Sequence, residues 1–574
     1  MGAADATLAE ALALLRTQWP TETEGVLNGK YSFWLGSGIS RERYPDVPEL
    51  IRRLLEKLQG SINHSTRHCP YREALGRVLA LAGATPDVAR PPSEWPNLPD
   101  IIRQLHDRYS EALDVEIRVN GTGKELYWDV LELQHVYGDP VPPDAEHRLL
   151  ALLIEEGVVS ELVTTNWDPL IEAASEACRP GGVQAIRIVA CTAELAGSDD
   201  PGGARLLKIH GCARKALGNP ATYKGFLVAT KTHITRWCDS DLQRPFRELA
   251  NTILREKFAF FIGLSGQDHN LQVACAAAFI GGKFPLGPSR VLFAKPAITA
   301  PEHGILKAIY QGYLDHANQI DARAALPLYA KPLLGSLYLL SLEKKISIFV
   351  NGAPSDFSSV HRSLVEHATR FIEQLLCARY DGIADPNTRW RRFADEVPSF
   401  ISRFLRVYRH QEILPTPEAC ECLSTENPSE MVLNPIVPES DLPWLLLSIA
   451  LVLEGDRRSL WKATGPSGDG GDYGQLAVSM TGNSVRVFFV IRSGTGLAKL
   501  RRQGFVDPGH PQRAVVVYPG ERQPRQSTRR SSPGRRVPGR APSVEPLEVW
   551  LKDIIENGQT VDELVKEFYR KLAA

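Results

Sequence analysis

The sequence lacks several features that would place the protein in a specialised class. None of its nine cysteines is followed by another cysteine three positions later, so no CxxC pair exists. That absence argues against a disulfide framework and against a four-cysteine zinc site. Its 66 basic residues nearly balance its 67 acidic residues. Overall charge therefore favours neither a nucleic-acid coat nor a membrane-surface protein.

Long hydrophobic runs are also missing. The longest, Leu442 to Leu453, has about 12 residues, whereas a membrane-spanning helix needs roughly 20. The stretch MGAADATLAEALALLRTQWP has no basic segment before its apolar part, as a signal peptide would. Ala6 stands where a myristoylation motif has Ser or Thr. We therefore expect a cytoplasmic protein without membrane contact, and the scattered cysteines fit a reducing compartment.

Length and patterning predict two domains. A chain of 574 residues exceeds what one hydrophobic core usually organises. Short apolar runs alternate with helix-period segments from about residue 25, which predicts an α/β domain with a parallel sheet over residues 1–300. A mostly helical stretch at about 60–145 separates the first two strands and is predicted to be an insertion. Beyond residue 300 the pattern predicts a mixed α+β domain, 301–574, for partner binding or oligomerisation.

The pattern also predicts element bounds. The predicted strands of the first domain are Tyr31–Leu35, Glu161–Thr165, Ala185–Ala190, Leu206–Ile209, Phe258–Ile262 and Val291–Ala294. The predicted helices are Val47–Gln59, Tyr71–Leu81, Pro96–Leu113, Ala145–Glu156, Ser359–Tyr380 and Arg389–His410. Further strands are predicted at QLAVSM, SVRVFFVI and RAVVVY, with a hairpin turn at TGNS between the first two.

An arginine-rich segment occupies residues 519–540 of the second domain. It has seven arginines and one acidic residue among many Ser, Pro and Gly residues. This composition predicts a disordered or loosely held loop. Contact with nucleic-acid phosphates is the alternative, because a few neutralised phosphates already give non-specific affinity.

Glycine and polar residues follow four of the predicted strands. The blocks are Gly36-Ser37-Gly38-Ile39-Ser40, Thr164-Thr165-Asn166-Trp167-Asp168, Lys208-Ile209-His210-Gly211 and Gly263-Leu264-Ser265-Gly266-Gln267-Asp268. Ligands of open parallel sheets bind beyond the carboxyl ends of the strands. These blocks are therefore expected to form one site.

The glycine turn allows two interpretations. Gly36 and Gly38 would let the backbone approach a diphosphate and point N–H groups at it. The alternative is a tight turn with no ligand, because short Gly-x-Gly pieces are common. The third glycine of the dehydrogenase fingerprint is missing, which disfavours hydride transfer.

The polar residues have structural alternatives as well. Asn166 and Asp168 suit the hydroxyls of a ribose, but Asp168 also stands where it can cap a helix that starts near Pro169. His210 follows an apolar strand, where an imidazole can take a proton near neutral pH. A core histidine is the alternative for His210.

Taken in order, the four blocks resemble the sirtuin superfamily over roughly residues 25–300. The resemblance implies a Rossmann-like, NAD-binding sheet with a helical insertion. It places His210 at the catalytic histidine, Asn166 at the ribose amide and Ser265 at a cofactor-contacting serine. Gly36, Gly38 and Ser40 would form the phosphate turn. The other expected contacts with NAD are Ser37, Thr165, Asp168, Gly263 and Asp268, and either aspartate would bind hydroxyls or support the pocket.

The chain departs from sirtuin deacetylases in one respect. Those enzymes hold a zinc ribbon with two CxxC pairs, whereas the nearest candidates here are Cys420 and Cys422, outside the similar region. GLSGQDHNL is instead similar to the Gly-x-Ser-x-x-Asp ending of sirtuin-like domains in bacterial antiphage defence proteins, which hydrolyse NAD. We therefore expect no zinc and no other metal site.

The resemblance implies an NAD+ hydrolase that depletes NAD as a defence effector. It implies a partner encoded nearby, either a HerA-type ATPase or a short Argonaute with guide nucleic acid. We also expect a homo-oligomer, because assembly is a ready means of gating a pocket. A non-catalytic NAD or ADP-ribose sensor and an NAD-dependent protein deacylase are the alternatives.

Overall fold

The structure is a computed structural model that describes most of the chain. The described ranges are 5–66, 68–119, 121–178, 185–195, 203–266, 269–278, 282–283, 289–353, 355–406, 408–409, 442–464, 475–480, 483–490, 501, 506, 513–518 and 546–573. Asp268, the cysteines at 420 and 422, and the arginine-rich segment at 519–540 lie outside these ranges. The chain divides into two compact units, Met1–Leu337 and Tyr338–Ala574.

Helices make up much of the first unit. α1 begins at a capping box formed by Thr7 and Glu10, and α3 begins after Asp46, whose carboxylate accepts the Glu49 N–H. The helices are α1 (Leu8–Thr17), α2 (Pro20–Leu27), α3 (Val47–Gly60), α4 (Pro70–Leu81), α5 (Leu98–His106), α6 (Tyr109–Leu113), α7 (Leu133–Gly138), α8 (Ala145–Glu155), α9 (Leu170–Cys178), α10 (Ala213–Gly218), α11 (Pro220–Tyr223), α12 (Lys231–Asp239), α13 (Arg244–Glu256), α14 (His269–Ala278), α15 (Ala300–Ile309) and α16 (Tyr313–Ala324), and α17 (Ala330–Asn351) contains the unit boundary.

A parallel sheet forms the centre of the first unit. The strands of this unit are β1 (Tyr31–Leu35), β2 (Ile117–Val119), β3 (Thr122–Lys124), β4 (Glu161–Thr164), β5 (Ile186–Val189), β6 (Ala204–Lys208), β7 (Phe258–Ile262), β8 (Gly282–Lys283), β9 (Val291–Ala294), β10 (Tyr310–Gln311) and β11 (Ala325–Leu326). Among the described residues, seven of them pair in the order β11-β9-β7-β1-β4-β6-β5, all in parallel. The α/β fold with a Rossmann-like parallel sheet is thereby confirmed.

The strands form where the sequence is apolar without alternation. All five residues of β1 are buried, as are all four of β9, because helices cover both faces of the sheet. The predicted bounds of β1, β7 and β9 are confirmed, and the other predicted strands of the first domain differ by one or two residues at their ends. The edge strand β11 was not predicted, since its two residues carry no periodic signal.

The insertion is mostly helical, as predicted, but two details differ. The single helix expected over Pro96–Leu113 is two helices, α5 and α6, which break at Asp107 and Arg108. A hairpin of β2 and β3 also lies within it. The core of the insertion includes Trp167, Ala216 and Leu227, which come from segments that follow β4 and β6. The insertion therefore packs at the carboxyl edge of the sheet.

The second unit is a mixed α+β fold, as predicted. Its strands are β12 (Tyr408–Arg409), β13 (Lys462–Thr464), β14 (Gln475–Met480), β15 (Asn483–Val490), β16 (Arg513–Tyr518) and β17 (Leu547–Trp550), and within the described ranges they form one sheet. β13, β14 and β15 pair antiparallel, whereas β15, β16 and β17 pair in parallel. The helices are Ser359–Asp381, Pro386–Arg406, Leu442–Arg457, Leu551–Asn557 and Val561–Ala573.

The antiparallel pairing expected for the hairpin of the second unit is observed, because Met480 pairs with Asn483. Of the predicted turn TGNS, Thr481 and Gly482 lie outside the described residues, and Asn483 and Ser484 belong to β15. The helix expected over Arg389–His410 instead spans Pro386–Arg406, and a two-residue strand follows it. Across the described ranges, no helix combines the length and the apolar character needed to cross a membrane.

Candidate functional site at the carboxyl edge of the sheet

The four polar blocks emerge at one edge of the sheet. Ile262, Leu35, Thr164 and Lys208 are register partners in a row across the adjacent strands β7, β1, β4 and β6. The strands are parallel and about 4.8 Å apart, so the residues that follow each strand lie on the same edge. The strand order also reverses direction along the chain at β1, which is where such sheets bind ligands. The described residues that follow these four strands therefore lie along one edge, whereas Gln267 and Asp268 of the last block lie outside the described residues.

The glycine turn is shaped by the loop after β7. The N–H of Gly36 donates to the Ile262 carbonyl at 3.1 Å, and the N–H of Gly38 donates to the Gly263 carbonyl at 2.9 Å. A Cβ on Gly38 would lie 2.6 Å from Gly263 Cα, and a Cβ on Gly36 would lie 2.6 Å from Leu264 Cα. Close approach of two backbones thus accounts for both glycines. Their two N–H groups serve the fold, so the expected phosphate contact must come from other atoms and stays a prediction.

Other residues predicted to contact NAD differ in exposure. Ser37 and Ser265 are exposed at this edge, and Gly263 is exposed with a positive φ of 65°. Thr165 is partly buried, and its N–H donates to the Leu35 carbonyl at 3.3 Å. Of this group, the two serines are the side chains that present hydroxyls at the surface of the edge.

Asn166 is buried and its side chain is held firmly. Its Nδ2 group donates to the Gly36 carbonyl at 3.2 Å and to Ser40 Oγ at 3.3 Å. A carbonyl can only accept, so the amide nitrogen must face Gly36. Both amide protons are then used within the protein. The polar group that Asn166 can offer to a ligand is its carbonyl oxygen, which accepts a hydrogen bond from a hydroxyl or a water.

Asp168 caps a helix and takes part in a buried charge cluster. Its Oδ1 accepts the Leu170 N–H at 3.2 Å at the start of α9, which confirms the capping alternative. Burial raises the pKa of Asp168 above its usual value, and the nearby Lys208 cation partly offsets that shift. Lys208 Nζ donates to the Asp168 carbonyl at 2.6 Å and to Glu172 at 2.7 Å.

Lys208 remains charged although it is buried at the end of β6. Burial acts against its charge, but Cys212, Glu172 and Asp168 outweigh burial and raise the pKa of Lys208. The sequence analysis did not give this lysine a role. A lysine at the end of an otherwise apolar strand was the available signal, since a buried lysine needs an acidic partner.

His210 is buried and follows β6 by two residues, as Asn166 follows the neighbouring β4. The His210 carbonyl accepts the Val228 N–H at 3.2 Å. Gly211 follows with φ of 83°, and a Cβ there would lie 2.9 Å from the Phe226 carbonyl oxygen. The positive φ and the close approach of Phe226 thus both require glycine at position 211, directly after His210.

Aromatic side chains flank Asp168. The Tyr137 ring contacts the rings of Tyr44 and Trp167, with centroid separations of 5.4 and 6.0 Å. Burial raises the pKa of both tyrosines, and the Asp168 charge adds to the shift in each. The insertion and the loop after β1 therefore bring an aromatic wall to the site. No local sequence pattern predicts this aromatic cluster, because its three rings come from distant parts of the chain.

The sequence analysis also missed His147, which lies on α8. Its Nε2 is 3.2 Å from Ser40 Oγ, and its side chain is fully buried. Ser40 was expected to contact phosphate. In the structure its hydroxyl bonds His147 and Asn166, and the expected phosphate contact stays a prediction.

A surface cavity and the acidic residues elsewhere do not add to this site. The cavity, about 640 Å³, lies in the insertion between α4 and β2 and is lined by residues such as Arg77 and Glu116. None of the predicted site residues lines it. In the ranges that the structure describes, no group of three or more His, Cys, Asp or Glu residues is arranged to hold a metal ion.

Comparison with known families covers about a quarter of the chain. Residues 160–296 match the family described as the SIR2-like domain. Among curated proteins, none matches the chain in sequence. The matched segment runs from the start of β4 past the end of β9 and contains Asn166, His210 and Ser265. The match supports a sirtuin-like domain in this part of the chain, and it fits an NAD-related activity in general.

Proposed function

We propose that the protein is an NAD+ hydrolase that cleaves the bond between nicotinamide and ribose. The observation that carries the proposal is that Asn166 and His210 follow adjacent parallel strands. Each comes two residues after the register pair Thr164 and Lys208, inside the segment that matches the SIR2-like domain. Both residues therefore belong to the edge where parallel sheets bind ligands, which supports their use as an amide acceptor and an imidazole base.

The chemistry assigned to these residues is simple. The bond between the anomeric carbon and nicotinamide breaks, and nicotinamide leaves with the electron pair as a neutral molecule. Water then bonds to the oxocarbenium-like carbon, and its proton passes to His210, directly or through a ribose hydroxyl. The Asn166 carbonyl oxygen orients the ribose or the water by accepting a hydrogen bond. The products are nicotinamide, ADP-ribose and a proton.

Water is proposed as the nucleophile because of the sequence. Sirtuin deacetylases carry two CxxC pairs beside the acyl-lysine cleft, and this chain has no CxxC pair. A hydrolase that drains NAD harms its own cell, so we propose that it acts as an abortive-infection effector in antiphage defence. Its activity would then be gated by oligomerisation and by a partner, either a HerA-type ATPase or a short Argonaute, in the bacterial cytoplasm.

The test measures nicotinamide release from NAD+ by the full-length protein, alone and co-expressed with its neighbouring genes in cells challenged with phage. His210→Ala and Asn166→Ala should each lower the rate by roughly 10²–10⁴-fold. His106→Ala, an exposed histidine on α5, is the matched control and should retain the rate. Circular dichroism should show all three variants folded.

Three outcomes would contradict the proposal. Nicotinamide release by His210→Ala at the wild-type rate would remove the assigned base. Binding of NAD+ or ADP-ribose without turnover in infected cells would favour the sensor. Stoichiometric zinc together with NAD-dependent turnover of an acyl peptide would favour the deacylase.

A further inference from the structure

His147 lies in a closed polar setting just behind the site. It is the third residue of α8, and its side chain has no exposed surface. Its Nδ1 faces the backbone N–H of Asp144 at 3.3 Å, and its Nε2 faces Ser40 Oγ at 3.2 Å. Both ring nitrogens are therefore in hydrogen bonds within the protein.

These contacts determine where the imidazole carries its proton. A backbone N–H can only donate, so Nδ1 must be the unprotonated nitrogen. Burial lowers the pKa of His147 to about 4, so the ring is neutral at physiological pH. A neutral ring with a bare Nδ1 has its proton on Nε2, and that N–H donates to Ser40 Oγ.

Both lone pairs of the Ser40 hydroxyl are then in use. A hydroxyl oxygen has two lone pairs and one proton. The lone pairs accept from His147 Nε2 and from Asn166 Nδ2, which is 3.3 Å away. The order of donors runs from His147 and Asn166 into Ser40.

Neighbouring charges hold the Asp144 end of this chain of hydrogen bonds. Arg43 donates to Asp144 at 3.1 Å, and Lys331 at the start of α17 lies 3.6 Å from the other carboxylate oxygen. Lys331 also donates to Glu42 at 2.7 Å. The Asp144 N–H, which determines the tautomer of His147, therefore lies at a helix N-terminus that charged contacts hold in place.

We propose that His147 is a positioning residue: its Nε2–H bond to Ser40 fixes the direction in which Asn166 holds its side chain at the site. Without that donor, the Ser40 hydroxyl can turn. The Asn166 amide then loses an acceptor held in a fixed direction. This inference rests on the proposed function for its kinetic test alone, because the hydrogen-bond order can be measured without turnover.

The kinetic test compares two substitutions at His147. His147→Leu removes both ring nitrogens at similar volume, whereas His147→Gln keeps an N–H donor within reach of Ser40. We expect kcat for nicotinamide release to fall at least about tenfold in His147→Leu, with KM changed less than about twofold, because misplacement lowers turnover. In His147→Gln, kcat should return to within about threefold of wild type. Leu149→Ala, at another fully buried position of α8, is the control and should keep kcat.

A double variant separates positioning from general loss of packing. If His147 acts through Ser40, then His147→Leu should have no further effect on kcat in a Ser40→Ala background. Additive losses in the double variant would overturn the proposal, as would wild-type kcat in His147→Leu.

The second measurement does not depend on turnover. Long-range 1H–15N spectra of the ring-labelled full-length protein, compared with His147→Gln, identify the His147 signals. The proton should reside on Nε2 between about pH 5 and 8. A proton on Nδ1, or a cationic ring, would overturn the proposed hydrogen-bond order. If the wild-type protein releases no nicotinamide, the proposed function is wrong. The spectrum still shows which nitrogen of His147 carries the proton, and so it tests the hydrogen-bond order independently.

Discussion

Replacing Glu146 by glutamine should uncover a pH dependence of stability that the wild-type protein conceals. Glu146 and His147 are consecutive on α8; His147 is fully buried, and the Glu146 side chain is 12% exposed. Burial raises the pKa of Glu146 to about 7 and lowers the pKa of His147 to about 4. Glu146 Oε2 is buried and has no hydrogen-bond partner among the described residues, so no donor stabilises the ionised form at that oxygen.

The two contributions have opposite signs. For Glu146 the folded pKa is raised, so its contribution is fully present below about pH 4.5 and is lost as the pH rises towards 7. For His147 the folded pKa is lowered, so its contribution is fully present above about pH 6.5 and is lost as the pH falls towards 4. Each displacement is worth about 3 kcal/mol of unfolding free energy. In the wild-type protein the two contributions nearly cancel across this range.

The charges around both groups are part of this expectation. After burial, the groups that act on His147 are Asp144, Glu172, Arg43 and Lys331, and their effects are of both signs. Glu146 is likewise affected by Lys331 at 3.6 Å and by Asp144. Glutamine mimics the protonated acid and changes none of these groups. Any constant offset from the substitution cancels when stabilities are compared across pH.

The measurement is urea unfolding of wild type and Glu146→Gln at pH values from about 4.5 to 7.5. Hydrogen exchange of peptides from β1 and β4 reports the first unit separately. The unfolding free energy of Glu146→Gln relative to wild type should rise by about 3 kcal/mol between pH 4.5 and 7. His147→Gln should show the opposite trend: its unfolding free energy relative to wild type should rise as the pH falls. A difference that stays flat with pH in Glu146→Gln would refute the assigned protonation states.

Two further predictions concern backbone packing and the buried lysine. Gly38→Ala should lower the unfolding free energy by about 1–3 kcal/mol in urea titration, because its Cβ would lie 2.6 Å from Gly263 Cα. Gly76→Ala on α4, where a Cβ meets nothing within 4 Å, should instead gain about 0.5–1 kcal/mol, and equal effects at the two glycines would contradict the packing argument. Lys208→Met should cost about 3–5 kcal/mol in the same assay by leaving buried acids without their cation. The double variant Lys208→Met with Glu172→Gln should be more stable than Lys208→Met alone. If the losses of the two single variants simply add in the double variant, the ion pair is ruled out.

Local sequence determined much of the sheet and the contents of its edge. Strand β9 is apolar at every position, and β1 is apolar except at Ser32. Such a run without alternation is typical of a strand that is covered on both faces, so local sequence predicts it. The glycine and polar residues after four strands predicted one site, since parallel strands all end at the same edge. The weak edge strand β11 and the break between α5 and α6 were missed, because short elements depend on tertiary partners more than on periodicity.

Tertiary structure alone decided what those residues do. Gly36 and Gly38 owe their identity to a loop more than 200 positions away along the chain, and no local pattern specifies that contact. His147 meets Ser40 across 107 positions, and Asn166 meets Ser40 across 126. A hydrogen-bond network of this kind is fixed by which partner each buried donor and acceptor finds, and that depends on the order of the strands. Sequence therefore identified the residues at the edge, whereas folding determined which of them are exposed there and which hold the others in place.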